Sequence, residues 1–254
     1  MGISQGDNFF ETVSAPCAIL DLCYLYRIDR RLVSQPPEPP EIRFAPCTPR
    51  IYGTCELIGK AKDETGTLTF KSRLDEGDQQ LLLATLNSSS YLNQPIVVKL
   101  VSGSYSQQVH EHLAAKGLAP KLYGYAKVDG APTAYVMEYL DPSEWETLHR
   151  SMNENSTVLF RTELRKALED IVSALKSKNY VHGDLRPNNI MIRKDLSKQP
   201  LGLMVVDFDW AGEASKVYYP AERNPEITGI KWPGEAGGKI ESDHDWKLIS
   251  SWLQ

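Results

Sequence analysis

The chain has 254 residues, 41% hydrophobic and 24% charged, which suits one large domain or a two-lobed one of a globular protein. A formal net charge of -5 argues against a general nucleic-acid-binding surface. Met1 to Phe10 is polar without a basic leader, and no apolar run approaches the ~18 residues that a spanning helix needs, so the expected setting is the cytoplasm or nucleus, away from membranes.

Residues 1–50 read as an extension. "CAILDLCYLYRIDRRL" has the pattern of a short amphipathic helix, and the proline-rich "SQPPEPPEIRFAPCTP" after it suits a linker. Cys17, Cys23, Cys47 and Cys55 form no CxxC pair and have no histidine cluster near them, so free thiols are expected rather than zinc. From Ile51 the pattern changes. "TLTFKSRL", "LLLATL" and "PIVVKLV" read as three strands. "SYSQQVHEHLAAKG" reads as a helix stopped at Gly117, and "KLYGYAKV" with "TAYVMEYL" as a hairpin. Leu164, Leu168, Ile171, Val172 and Leu175 recur with helical period in "STVLFRTELRKALEDIVSALKSKN", the longest expected helix. "LGLMVVDFDW" reads as a strand ending in acidic residues, and "DHDWKLISSWL" as a final helix.

Between the long helix and that strand lies "VHGDLRPNNIM". Transfer of the γ-phosphoryl group of ATP needs an oriented nucleophile, a metal held by hard oxygen ligands, and neutralisation of developing charge. The segment offers one residue for each need. Asp184 suits acceptance of the proton of an attacking hydroxyl, Asn189 can offer an amide oxygen to Mg²⁺, and Arg186 can reach the transferred phosphate. Asp207, in "VVDFDW", closes an apolar strand where a second metal ligand would stand.

These segments, in this order, resemble the protein-kinase-like superfamily from about Thr67 to Gln254, and more locally the kinase-like proteins of filamentous fungi. "HGDLRPNNIMI" resembles the catalytic loop, "VVDFDWAG" the metal-binding DFG segment, and "PIVVKLV" the strand of the ATP-anchoring lysine, here Lys99. "YVMEYL" resembles the hinge, with Met137 as gatekeeper and Glu138, Tyr139 and Leu140 along adenine. "DHDWKLI" resembles the helix behind the catalytic loop, with Asp245 capping it. The resemblance implies an α+β, two-lobed protein-kinase-like fold with residues 51–137 as the N-lobe and 138–254 as a shortened C-lobe. It implies ATP and Mg²⁺ as ligands, with Lys99, Asp184 and Arg186 in catalysis and Asn189 and Asp207 on metal.

The sequence also departs from that pattern. The glycine-rich loop reduces to Gly77 in "DEGDQQ", whose acidic neighbours oppose phosphate binding. The usual arginine of the catalytic loop is Gly183, the form seen in aminoglycoside- and choline-type kinases, and it removes the common partner of an activation-loop phosphate. Asp209 stands where DFG has glycine and is an additional candidate metal ligand. Either Glu111 or His110 is placed to pair with Lys99, Glu111 being the chemically sensible choice. The expected activity is phosphoryl transfer to a hydroxyl, with protein serine or threonine first and a small molecule second. The rival from another class is a pseudokinase, a binding module without turnover.

Overall fold

The computed structural model describes residues 51–59, 64–74, 80–154, 158–197, 200–223 and 230–253. The N-terminal extension, with Cys17, Cys23 and Cys47, lies outside the described residues, as does Gly77.

The first half of the described chain is a barrel. Strands β1 (Thr54–Leu57), β2 (Thr65–Arg73), β3 (Gln80–Asn87), β4 (Gln94–Val101), β5 (Leu122–Ala126) and β6 (Thr133–Glu138) close in the order β1-β2-β3-β4-β6-β5, every pair antiparallel. Strands β2, β3 and β4 are the three read from the sequence, and β5 and β6 are the expected hairpin. The closing strand β1 was not foreseen. It fits against β5 because Gly124 has no side chain: a Cβ there would fall 2.1 Å from the Glu56 carbonyl oxygen. Alternate residues fill the interior, among them Leu68, Ala84, Leu86, Ile96, Val98 and Val136. The same alternation sends Lys99 out of β4 on the face opposite Ile96 and Val98.

Helix α1 (Gln107–Ala114) follows β4, and Gly117, at φ +71°, turns the chain away from it. The second half has its own core. Strand β7 (Trp145–Thr147), helix α2 (Leu148–Asn153), helix α3 (Arg161–Lys176), strands β8 (Tyr180–Val181), β9 (Ile190–Arg193), β10 (Leu203–Val205) and β11 (Gly212–Glu213), and helix α4 (His244–Trp252) make it up. The α3 stripe of Leu164, Leu168, Ile171, Val172 and Leu175 is buried as its period predicts, against Leu148, Ile190, Val205 and Ile249. A small antiparallel sheet, β10-β9-β7, lies in this half. The expected strand over 201–210 narrows to Leu203–Val205, because Asp207 adopts φ +71° and leaves the extended region. No helix among the described residues is long and apolar enough to cross a membrane.

Candidate active site

The loop between β8 and β9 is held from behind. Asp245, fully buried in the first turn of α4, accepts the main-chain N–H of His182 and of Gly183, each at 2.8 Å. Trp252, in the last turn of α4, donates its indole N–H to the Leu185 carbonyl at 3.0 Å. Two helix turns thus fix both flanks of Asp184. The carboxylate of Asp184 is buried and accepts three donors: Arg186 Nε at 2.5 Å, Arg186 Nη2 at 2.7 Å and Asn189 Nδ2 at 2.9 Å. A carboxylate has about four lone-pair sites, so one direction, on Oδ1, is left for an incoming hydroxyl. Arg186, expected to reach a phosphate, is instead the clamp on Asp184, a bidentate fork that a lysine would not reproduce.

Lys99 lies with two carboxylates. Its Nζ donates to Asp207 Oδ1 at 2.6 Å and to Asp209 Oδ1 at 2.7 Å. Burial opposes the ionised form of Asp207, but the charge and hydrogen bond of Lys99, with His182 nearby, outweigh it and hold the carboxyl below its ordinary range. Asp209 is pushed the other way, by burial first and by the charge of Asp207 second. Asp207, at φ +71° without being glycine, sits in a strained conformation costing on the order of 1–3 kcal/mol, which the surrounding bonds must hold. Two of those bonds come from the turn before α1: Ser106 N donates to the Phe208 carbonyl at 3.0 Å, and Ser104 Oγ to the Asp209 carbonyl at 2.6 Å.

Neither expected helix partner of Lys99 meets it. Glu111 accepts from Gln107 at 2.7 Å, one turn back on its own helix. His110 is buried and stacks on Phe208, ring centroids 4.4 Å apart. Its Nε2 lies 2.7 Å from the Pro120 carbonyl and its Nδ1 2.5 Å from the Tyr105 hydroxyl. A carbonyl only accepts, so Nε2 carries the proton and Nδ1 accepts from tyrosine, a fully bonded neutral ring. Burial accordingly takes the His110 pKa down to about 4. Asp209 therefore supplies the second carboxylate on Lys99 that Glu111 was expected to supply.

The segment expected as a hinge runs out of β6. Met137 is buried, and the Glu138 N–H is committed to the Lys121 carbonyl at 2.8 Å. Tyr139 and Leu140 lie beyond the strand, half-buried, and their main-chain groups enter none of the hydrogen bonds among the described residues. They leave donors and acceptors for the edge of a planar ring.

The donor set suits a hard divalent cation. Asp207 and Asp209 offer carboxylate oxygens, and Asn189 offers an amide oxygen, since its Nδ2 is taken up by the Asp184 main-chain and side-chain oxygens. Two carboxylates share one ammonium, and Asp209, pushed up by burial first and by the charge of Asp207 second, is the one held toward its neutral form. Among the described residues no three His, Cys, Asp or Glu side chains converge, so such an ion would draw on the amide and on non-protein oxygens as well.

The chain is similar to the Cydia pomonella granulovirus kinase PK-1, with 17% identity, 73% of this chain and 67% of that one covered, and a TM-score of 0.50. It is also similar to vaccinia related kinase 3, with 15% identity, 79% and 67% covered, and a TM-score of 0.48. The first of these likenesses shows a protein-kinase fold, with mixed helix and strand, here carrying a closed six-stranded barrel. No protein-family model and no curated protein matches the chain in sequence.

Proposed function

We propose that the protein is a Mg-ATP-dependent phosphotransferase with two lobes, residues 51–137 and 138–254, that passes the γ-phosphoryl group to a protein serine or threonine hydroxyl. The observation that carries this reading is the meeting of Lys99 with Asp207, 108 positions away, under the segment that also seats Asn189 and Asp184. A kinase fold alone does not require those side chains; phosphoryl transfer does.

In this reading each group has a task set by its bonds. Asp184 keeps one acceptor direction for the hydroxyl and takes its proton, while Arg186 and Asn189 hold the carboxylate still. Lys99 is the fixed positive charge for the phosphates, and Asp209 helps to aim it. Asp207 and Asn189 would hold Mg²⁺, which when bound would offset the negative charge of the phosphates. Adenine recognition falls to the main chain of Tyr139 and Leu140, because the Glu138 N–H is already engaged.

A second reading, a binding module without turnover, draws on one observation: the Lys99 ammonium is already clasped by two carboxylates. Thermal unfolding with ATP, with and without Mg²⁺, separates the readings, since a ligand that binds only the folded state raises Tm. A rise that depends on Mg²⁺, together with labelled phosphate in a mixed serine/threonine peptide pool, is expected. A rise indifferent to Mg²⁺ and to Asp207→Asn, with no transfer, would overturn the phosphotransferase reading.

A further inference from the structure

Beside the Asp184 loop stands a cationic group that neither fold nor proposed chemistry has used. The segment after β11 doubles back on itself: Tyr219 N donates to the Gly238 carbonyl, Gly237 N to the Pro220 carbonyl and Ile240 N to the Val217 carbonyl. The fold-back gathers Trp210, Tyr219 and Trp232, with ring centroids 5.5 to 6.2 Å apart. Arg223 lies against this wall, its guanidinium carbon 4.7 Å from the Tyr219 ring and 4.9 Å from that of Trp232. Arg186, the clamp on Asp184, lies over the same Trp232 ring at 5.6 Å. One indole therefore links the Asp184 loop to Arg223.

The charge accounts of the two arginines differ. Arg186 is neutralised by Asp184. Among the described residues Arg223 has no carboxylate partner. Of its five N–H donors, one set is used, Nη2 on the Gly234 carbonyl at 2.5 Å, and its buried Nε has no acceptor. The acids that act on the neighbouring Tyr219 are engaged elsewhere: Asp245 by two amides, Asp243 by Lys247 and Asp184 by Arg186. A half-buried guanidinium so placed is costly to hold unless an anion completes it. Arginine stacked on rings presents its remaining N–H groups as a flat fork, the geometry that suits phosphate and carboxylate. Arg223 and the Asp184-bound Arg186 lie over the same Trp232 ring, at 4.9 and 5.6 Å, which places Arg223 beside the Asp184 loop.

We propose that Arg223, seated on Tyr219 and Trp232 beside the Asp184 loop, binds a phosphate or carboxylate of the acceptor, so that the substrate class of this site is an acidic or already phosphorylated peptide. This rests on the phosphotransferase reading for the word acceptor, but the anion site itself can be measured without turnover. If Arg223 served only to staple its loop through Gly234 and the rings, charge on the peptide would be irrelevant.

The test uses the full chain and three serine peptides of one sequence, differing only at a flanking residue: phosphoserine, aspartate or asparagine. Binding is read by tryptophan fluorescence, and transfer by labelled ATP with Mg²⁺. The charged peptides are expected to bind at least ~10-fold tighter than the asparagine peptide, a preference that falls to about one in Arg223→Met and is partly kept in Arg223→Lys. The order of the phosphoserine and aspartate peptides tells which anion the fork takes. The Tm of each variant, and its shift with ATP, verifies that the fold is intact. Equal binding of all three peptides by the unaltered chain, or a preference that survives in Arg223→Met, would overturn the proposal. A charge preference without any transfer would leave the anion site standing and remove the phosphotransferase reading instead.

Discussion

Two clusters, one on the Asp184 loop and one around Lys99, handle charge in opposite ways. At Asp184 one carboxylate meets one guanidinium and one amide, and the account closes within the protein. At Lys99 one ammonium meets two carboxylates, the half-buried Asp209 and the better-buried Asp207. The first arrangement holds its geometry whatever is bound, which is what a group that must orient a reacting hydroxyl requires. The second is at its most stable only when further positive charge arrives, which is what a site for a metal-bound nucleotide requires.

The sharpest way to break this contrast is to balance the second cluster. Asp207→Asn leaves Lys99 with Asp209 alone; Mg²⁺-dependent ATP affinity should disappear and turnover should fall by ~10³-fold, as when a principal electrostatic group is lost from a transfer site. Calorimetric titration of ATP with and without Mg²⁺ checks the first, and steady-state transfer the second. Unbalancing the first cluster should do something different. Asp184→Asn keeps shape and ATP affinity but lowers turnover by ~10²-fold, the usual cost of losing a general base. If both variants lose nucleotide affinity equally, the division of labour between the clusters is wrong.

A smaller effect belongs to the histidine stacked on Phe208. His110, held neutral with a pKa of about 4, lies below the ~6.5 of an unfolded histidine, so the unfolded chain takes up more protons between those values. The stability it contributes is whole above pH ~6.5 and is lost as pH falls toward 4, by about 2 kcal/mol between pH 7 and pH 5. In denaturant titrations at the two pH values His110→Leu should remove that share of acid sensitivity, while His182, whose pKa is lowered mainly by burial, keeps its own. The smallest effect is expected outside both clusters. Glu111→Gln, on a side chain bonded only within its helix, should change Tm by less than ~2 °C and ATP affinity by less than ~2-fold. A large loss of affinity there would restore Glu111 as the partner of Lys99.

How far the sequence revealed all this depends on the range of the interactions. The α3 stripe and the β5–β6 hairpin were legible because each is a local pattern of period and turn. Strand β1 has four residues and β7 three, too short to show a period, and both exist through pairing with distant strands. The choice between His110 and Glu111 could not be read because neighbours on a helix differ by about 100° in direction, and both are polar. The structure put the histidine against Phe208 and the glutamate along the helix surface. The pairing of Asp209 with Lys99 hangs on the left-handed turn at Asp207, which "VVDFDW" gives no sign of. Arg223 lay in a stretch with no period at all, and only the fold-back of an irregular segment brings it to Trp232 and the Asp184 loop.

Gly183 bears on what this loop can become. Its φ is +81°, and a Cβ built on it would lie 2.7 Å from Ile240 Cδ1 and 3.4 Å from Trp210 Cβ. An arginine at this position would therefore be strained in its backbone and would displace the tip of a side chain 57 residues further on. Glycine thus acts here as a spacer: it lets the chain turn with positive φ while the Ile240 side chain packs against the bare backbone, and any larger residue would have to push that side chain aside.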